Sequence, residues 1–192
     1  MKNNNIITID GPSASGKGSL SKALAKELNF ILLDSGLLYR AYSYCYDHSK
    51  NHSLAMDLFS HLNIKSIDNE MRVFENEKDI TTILRHEDVA KLASEVSSFK
   101  ETRANLISFQ RDLASYQGLV ADGRDMGTVV FPDAGTKIFL VADAEVRAKR
   151  RFLELQNAGQ EVNMRDLIDD IRLRDEADEA REISPLMPAD DS

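Results

Sequence analysis

Residues 11–19 read GPSASGKGS, and this stretch decides how the first part of the chain folds. It contains three glycines, three serines, one proline and one lysine, so it offers no side chain large enough to pack in a core. The β-branched run IITID precedes it at residues 6–10, and apolar residues recur at helical spacing from 19 to 28. The pattern therefore predicts a buried strand, a glycine-rich loop and a helix, in that order.

The glycine-rich stretch matches a P-loop, which holds phosphate groups, at Gly11, Gly16 and Lys17. Glycine lets backbone amides approach phosphate oxygens closely, and the start of the helix adds a partial positive charge. The sequence thus predicts an ATP site formed by Gly11, Pro12, Ser13, Ala14, Ser15, Gly16, Lys17, Gly18 and Ser19. Because glycine follows the lysine, the first hydroxyl is that of Ser19, which we expect near Mg²⁺, partly through water.

The composition of the chain excludes several other classes of protein. With 192 residues, it is long enough for one domain with insertions and a sizeable core. A formal net charge of −8 argues against a general affinity for nucleic-acid phosphates. The single cysteine, Cys45, cannot form an internal disulfide, and no run reaches the roughly 18 apolar residues of a membrane span. We expect a cytoplasmic monomer that binds neither nucleic acid nor membrane.

Short apolar runs alternate with helical patterns along the chain. Strands are predicted at 6–10, 30–34, 119–122 and 137–143, and helices at 19–28, 37–50, 88–117, after Asp143 and after Asn163. Residues 63–80 alternate around Asp-Asn-Glu, which predicts a small antiparallel insertion. The expected fold class is therefore α/β, a P-loop NTPase-type parallel sheet covered by helices on both faces. Such sheets bind ligands at the carboxyl ends of their strands.

Two arginines follow predicted strands at this edge. Arg40 comes after the second strand, and Arg124 lies between two carboxylates after the third. Surface ion pairs are the simpler explanation for either arginine alone, but two of them beside a P-loop indicate a second phosphate that faces the first.

Four segments of the chain resemble bacterial cytidylate kinases, the CMP/dCMP kinases among the nucleoside monophosphate kinases. They are GPSASGKGS, LLDSGLLYRA, ADGRDMGTVVFPDA and RDEADEAREISPLMPAD, and the resemblance runs from about residue 6 to 191. It implies transfer of the γ-phosphoryl group of ATP to CMP or dCMP, giving ADP and CDP or dCDP, with Mg²⁺ as cofactor. Members of this family usually continue through a last strand and helix, so we expect this sequence to be shortened.

The resemblance implies a CMP site made of Ser35, Tyr39, Arg40, Ser94, Arg103, Gly123, Arg124, Asp125, Arg174, Asp178 and Arg181. The phosphate is expected at Arg40, Arg124 and Arg181, and the sugar at Tyr39, Arg174 and Asp178. Cytosine is expected at Ser94, Arg103 and Asp125. A carboxylate can accept from the amino group of cytosine and an arginine can donate to its ring acceptors, whereas uracil reverses both demands. Taken without the resemblance, the charged tail helix is more simply a solvated surface.

The resemblance also implies a division of the chain into functional regions. We expect a core at 1–34 and 98–151, a monophosphate-binding region at 35–97, a helical lid at 152–163 and a substrate-contacting tail at 164–192. Arg147 and Arg151, on a basic helix in an acidic protein, are expected to reach the transferring phosphoryl group. The expected catalytic residues are Lys17, Arg124, Asp125, Arg147 and Arg151. Two alternatives remain open: a P-loop kinase for UMP, shikimate or a coenzyme precursor, and a regulatory NTPase.

Overall fold

The computed structural model describes residues 2–114, 118–157, 159 and 161–192. Its strands are β1 (Asn3–Asp10), β2 (Ile31–Asp34), β3 (Asn63–Ile67), β4 (Glu70–Glu75), β5 (Lys78–Asp79), β6 (Leu119–Gly123) and β7 (Ala134–Phe139). Its helices are α1 (Lys17–Leu28), α2 (Ser35–Ser49), α3 (His52–Ser60), α4 (Thr81–Leu84), α5 (Glu87–Val96), α6 (Lys100–Asp112), α7 (Ala144–Asn157) and α8 (Met164–Glu179). A wide π-helical turn, Met126–Val130, follows β6.

The central sheet is parallel, with the strand order β2–β6–β1–β7. Strands β3, β4 and β5 form a separate antiparallel sheet inside the predicted insertion. Both observations confirm the predicted fold class. None of the helices in the described part of the chain combines the length and the apolar character needed to cross a bilayer.

Alternating side chains of the central strands build apolar layers on both faces of the sheet. On one face, Val120 and Ile9 pack with Ala25 of α1. On the other face, Leu119 and Leu33 belong to a larger core that also includes Tyr42 of α2, Phe59 of α3 and Leu106 of α6. This two-residue alternation is what a sheet with both faces covered requires.

The register of the strands brings their carboxyl ends to one edge. Asp34 of β2 lies opposite Asp122 of β6, and Asp10 of β1 lies opposite Gly123. The glycine-rich loop leaves this edge directly after Asp10. The sequence-distant polar groups that follow each strand are therefore gathered at one place.

Several element boundaries differ from the predicted ones. Helix α2 begins at Ser35 rather than 37, because the Asp34 side chain caps it by accepting from the Leu37 amide at 2.9 Å. Strand β7 spans Ala134–Phe139 rather than 137–143, since its neighbour β1 ends at Asp10. The helix predicted at 88–117 is interrupted between α5 and α6, and residues 115–117 lie outside the described residues. Residues 158 and 160 of the predicted lid also lie outside them.

Gly11 provides a test of how tightly the loop meets β7. Its φ is +143°, and a Cβ atom built there would lie 2.1 Å from the Leu140 carbonyl oxygen. We expect Gly11→Ala to lower the free energy of unfolding by more than about 2 kcal/mol, as measured by urea denaturation. Gly18→Ala is the matched control, because the nearest atom to its Cβ is a carboxylate oxygen of Asp122 at 3.6 Å. Equal unfolding midpoints for the two variants would contradict this account.

Candidate active site

The glycine-rich loop curves around the side chain of Lys17. The Lys17 ammonium group donates to the Pro12 carbonyl oxygen at 2.7 Å, and Gly16 has a left-handed conformation just before α1 begins. Arg150 of α7 donates to the Ser15 carbonyl oxygen at 2.7 Å and so holds the loop from outside. The loop is thus shaped before any phosphate binds, and the positive end of α1 and the charge of Lys17 are at the same place.

Carboxylates at the ends of the strands surround Lys17. Burial lowers the pKa of the Lys17 ammonium group, and the nearby Arg124 lowers it further, while Asp122, Asp10 and Asp34 act in the opposite direction. Burial likewise raises the pKa of Asp122, and the neighbouring Asp34 adds to this effect. The sequence predicts the strands that end in these carboxylates, but it predicts no role for Asp10, Asp34 or Asp122. Their position beside the loop makes them part of the site.

A cavity of about 360 Å³ opens in front of the loop. All eleven residues predicted for the CMP site line it: Ser35, Tyr39, Arg40, Ser94, Arg103, Gly123, Arg124, Asp125, Arg174, Asp178 and Arg181. From the predicted ATP site, Ser13, Ala14, Lys17 and Gly18 also line it. Gly11, Pro12, Ser15, Gly16 and Ser19 lie outside the lining of this cavity. Residues of both predicted sites therefore line the same cavity.

One end of the cavity carries a preformed polar pair. Arg103 donates to the buried carboxylate of Asp125 at 2.6 Å, and it lies 3.5 Å from the Tyr39 hydroxyl and 5.7 Å from the centre of the Tyr39 ring. Burial raises the pKa of Tyr39 to about 12, so the hydroxyl keeps its proton. Ser94 stands nearby on α5. This end of the cavity offers a fixed donor and a fixed acceptor side by side.

A cluster of arginines lines another part of the cavity. Asp178 is buried and accepts from Arg124 at 3.0 Å and from Arg181. Among the described residues, neither Arg40 nor Arg174 has a hydrogen-bond or ion-pair partner, and the Arg174 Nε atom is buried without one. Burial and the neighbouring Arg124 lower the pKa of Arg174 to about 10. Arg124, Arg181 and Arg174 gather about the Asp178 carboxylate, and Arg40 interacts with Arg174, so this part of the cavity suits an anion.

The two predicted arginines of α7 have different surroundings. Arg151 lines the cavity and bridges it to α5 through a bond of 2.5 Å to Glu87. Arg147 is buried, pairs with Asp175 of α8, and donates to the carbonyl oxygens of Ala142 at 2.8 Å and Ser13 at 3.3 Å. The structure thus brings Arg151, but not Arg147, to the cavity wall, because the guanidinium group of Arg147 is occupied in holding the loop to α8.

The strand, loop and helix with their lysine, together with the facing arginine-lined cavity, define a nucleotide-binding protein of the P-loop kinase class. The comparisons with known proteins narrow this further. A family model described as cytidylate kinase matches residues 7–192. The chain belongs to the cytidylate kinase family.

Curated relatives match over nearly the whole chain. A cytidylate kinase of Mannheimia succiniciproducens is 45% identical, covering 100% of this chain and 88% of that protein. Cytidylate kinase 2 of Haemophilus influenzae is 45% identical, covering 97% and 87%. A cytidylate kinase of Colwellia psychrerythraea is 44% identical, covering 96% and 85%. This chain therefore spans most of the length of each.

Substitution of Arg174 measures how much its buried charge lowers the free energy of unfolding. Its lowered pKa means that the charged form is disfavoured in the folded protein, so at neutral pH its charge reduces stability. We expect Arg174→Met to raise the free energy of unfolding of the nucleotide-free protein by about 1–3 kcal/mol, and to weaken the binding of anions in the cavity. Arg172→Met on the same helix removes an exposed arginine paired with Glu145, and it should change stability by less than about 1 kcal/mol. Denaturant unfolding without nucleotide compares the two, and a destabilised Arg174→Met would contradict the account.

Proposed function

We propose that the protein transfers the γ-phosphoryl group of ATP to CMP or dCMP, giving ADP and CDP or dCDP. The observation that carries the proposal is that all eleven acceptor residues line the same cavity as Lys17 of the glycine-rich loop. Membership of the cytidylate kinase family supports it. The reaction needs two anionic groups held close together, and a cavity lined by both the acceptor residues and the glycine-rich loop supports this arrangement.

The loop from Gly11 to Ser19 would hold the donor. Its backbone amides and the start of α1 would bind the phosphates, and Lys17 would exchange its bond to the Pro12 carbonyl for one to a phosphate oxygen. The carbonyl oxygens of Ser13 and Ser15 are already held by Arg147 and Arg150. The donor end of the site is thus largely preorganised.

The residues at this edge fit a magnesium ion that is shared with the nucleotide. Ser19 is exposed at the start of α1, and the carboxylates of Asp34 and Asp122 line the cavity. Among the described residues there is no group of three or more ligating side chains that could hold a metal alone. Mg²⁺ commonly binds through one or two protein oxygens, waters and substrate phosphates, so this set of donors suits it. When bound, it supplies neutralisation of the phosphate charge.

The acceptor would be bound by groups that are already charged and aligned. Arg40, Arg124 and Arg181 would hold its phosphate, and the Arg40 guanidinium group, whose pKa burial lowers, would gain a direct partner. Arg174 and Asp178, with Tyr39, would face the sugar. Arg103 and Asp125 would read the base, and they would have to exchange part of their mutual bond for bonds to cytosine.

Catalysis would rest on positioning and on neutralisation of charge, without a covalent intermediate. Arg151, which lines the cavity, would reach the transferring group after it releases Glu87. Arg147 would act indirectly, by keeping the loop against α8. Asp125 would orient the acceptor as well as its base.

The proposal is tested by measuring ADP release with CMP, dCMP, UMP and AMP as acceptors. We expect kcat/KM for CMP or dCMP to exceed that for UMP by at least about tenfold, because uracil presents an oxygen acceptor to the buried Asp125 carboxylate where cytosine presents an amino donor. A preference for UMP or AMP would indicate a different nucleoside monophosphate kinase. ATP turnover that is independent of every acceptor would indicate a regulatory NTPase.

Asp125→Asn should damage use of CMP more than use of UMP. We expect kcat/KM for CMP to fall about 10- to 100-fold, since a charge-assisted hydrogen bond to the base is lost, while the smaller value for UMP changes less. Asp133→Asn is the matched control, because Asp133 is exposed and lies outside the cavity lining. Parallel loss for both acceptors would argue against a role of Asp125 in reading the base.

Removal of divalent metal should abolish the activity reversibly. EDTA is expected to stop ADP release and added Mg²⁺ to restore it. Ser19→Ala should raise the Mg²⁺ concentration required for half-maximal rate several-fold, whereas Ser21→Ala, whose hydroxyl is buried without a partner, should leave it unchanged. An identical magnesium dependence in both variants would remove Ser19 from the metal site.

A further inference from the structure

Asp10 ends β1 immediately before the glycine-rich loop, and its side chain binds the segment that follows β6. One carboxylate oxygen accepts from the Met126 amide at 2.9 Å, and the other accepts from the Gly127 amide at 2.8 Å. Only 5% of the residue is exposed. Its backbone carbonyl accepts from the Leu140 amide at 2.7 Å, so Asp10 is held through both its main chain and its side chain.

The two amides belong to the first residues of the π-helical turn that follows Arg124 and Asp125. The first amides of a helical turn have no partner within it, and here the Asp10 carboxylate supplies one. The contact is close, since a Cβ atom built on Gly127 would lie 3.3 Å from an Asp10 oxygen and 2.8 Å from the Thr8 hydroxyl. Burial raises the pKa of Asp10 to about 6 even though both bonds lower it, so the carboxylate is kept there at a cost in stability.

What the carboxylate fixes is the segment that carries the acceptor-side residues. Asp125 is one residue from the Met126 amide and holds Arg103 at 2.6 Å, while Arg124 holds Asp178 at 3.0 Å. On the other side, Asp10 is covalently joined to Gly11, the first residue of the donor loop. A single buried side chain therefore connects the two halves of the cavity.

We propose that Asp10 is a positioning residue that sets the location of Arg124 and Asp125 relative to the glycine-rich loop. This inference rests on the proposed function, because it assigns the acceptor to the first group and the donor to the second. Asp10 contacts neither nucleotide. It acts through the two amides, and it affects the acceptor more than the donor because the loop has other supports in Arg147 and Arg150.

Asp10→Asn in the full chain tests the proposal, because the amide can accept one of the two bonds but presents its own N–H groups to the other amide. We expect kcat/KM for CMP to fall at least tenfold, with a raised KM for CMP. The KM for ATP should stay within twofold of the parent value, and the ratio of kcat/KM for CMP to that for UMP should fall at least threefold. Thr8→Val is the matched control, since Thr8 is buried two residues earlier on the same strand and its hydroxyl has no partner among the described residues. It should leave all four quantities within twofold.

A purely structural role gives a different result and would overturn the proposal. Loss of folded protein lowers the apparent kcat but leaves both KM values and the base preference unchanged. If Asp10→Asn does not fold, Gly127→Ala crowds the same contact, because the added Cβ atom would lie 3.3 Å from the Asp10 carboxylate, and it should produce the same pattern of constants. The activity of the parent protein separates this inference from the proposed function, because a parent that does not phosphorylate CMP contradicts the proposed function itself. If the parent protein is active and calorimetry shows that Asp10→Asn binds CMP as tightly as the parent does, only the positioning role of Asp10 is contradicted.

Discussion

The parallel pairing of β1 with β6 is the constraint on which the site depends. It places Asp10 opposite Gly123, so the start of the glycine-rich loop and the start of the Arg124–Asp125 segment are neighbours although more than a hundred residues separate them in the chain. The pairing of β2 with β6 adds Asp34 and the beginning of α2. A shift of one residue in either pairing would turn these side chains to the opposite face, and the apolar layers on both faces oppose such a shift.

Gathering so many charges at one edge has an energetic consequence. The strand-end carboxylates stabilise the charge of Lys17, while burial and the neighbouring carboxylates raise the pKa of Asp122. Seven guanidinium groups and seven carboxylates line the cavity, yet burial and the nearby Arg124 lower the pKa of Arg174. The folded protein is less stable than it could be, and a bound nucleotide would return that stability through its phosphates. Sites that bind ions strongly are often arranged in this way.

Much of this arrangement could be predicted from the sequence, and the reasons are local. The P-loop is a contiguous motif, the strands have a clear apolar pattern, and the spacing of Arg174, Asp178 and Arg181 places them on one side of a helix. The residue roles came from the family resemblance rather than from periodicity. Arg147 is the instructive exception, because its identity and spacing suit a phosphate but its partner Asp175 is 28 residues away, and no pattern announces that pairing. The bonds of Asp10 to residues 116 and 117 positions later are invisible for the same reason.

Arg147 and Arg151 show how one helix can serve two different purposes. They are one turn apart on α7, yet the first is buried against the loop and α8, and the second reaches across the cavity to Glu87 on α5. Three elements hold Arg147, so the beginning of α7 is anchored beside the glycine-rich loop. Arg151 has partners on its own helix and on α5, both partly exposed, so its bonds can be exchanged for bonds to a phosphate at little expense. Arg147 therefore fixes the position of the helix that carries Arg151. Two arginines at helical spacing can thus have different partners, Asp175 for Arg147 and Glu87 for Arg151.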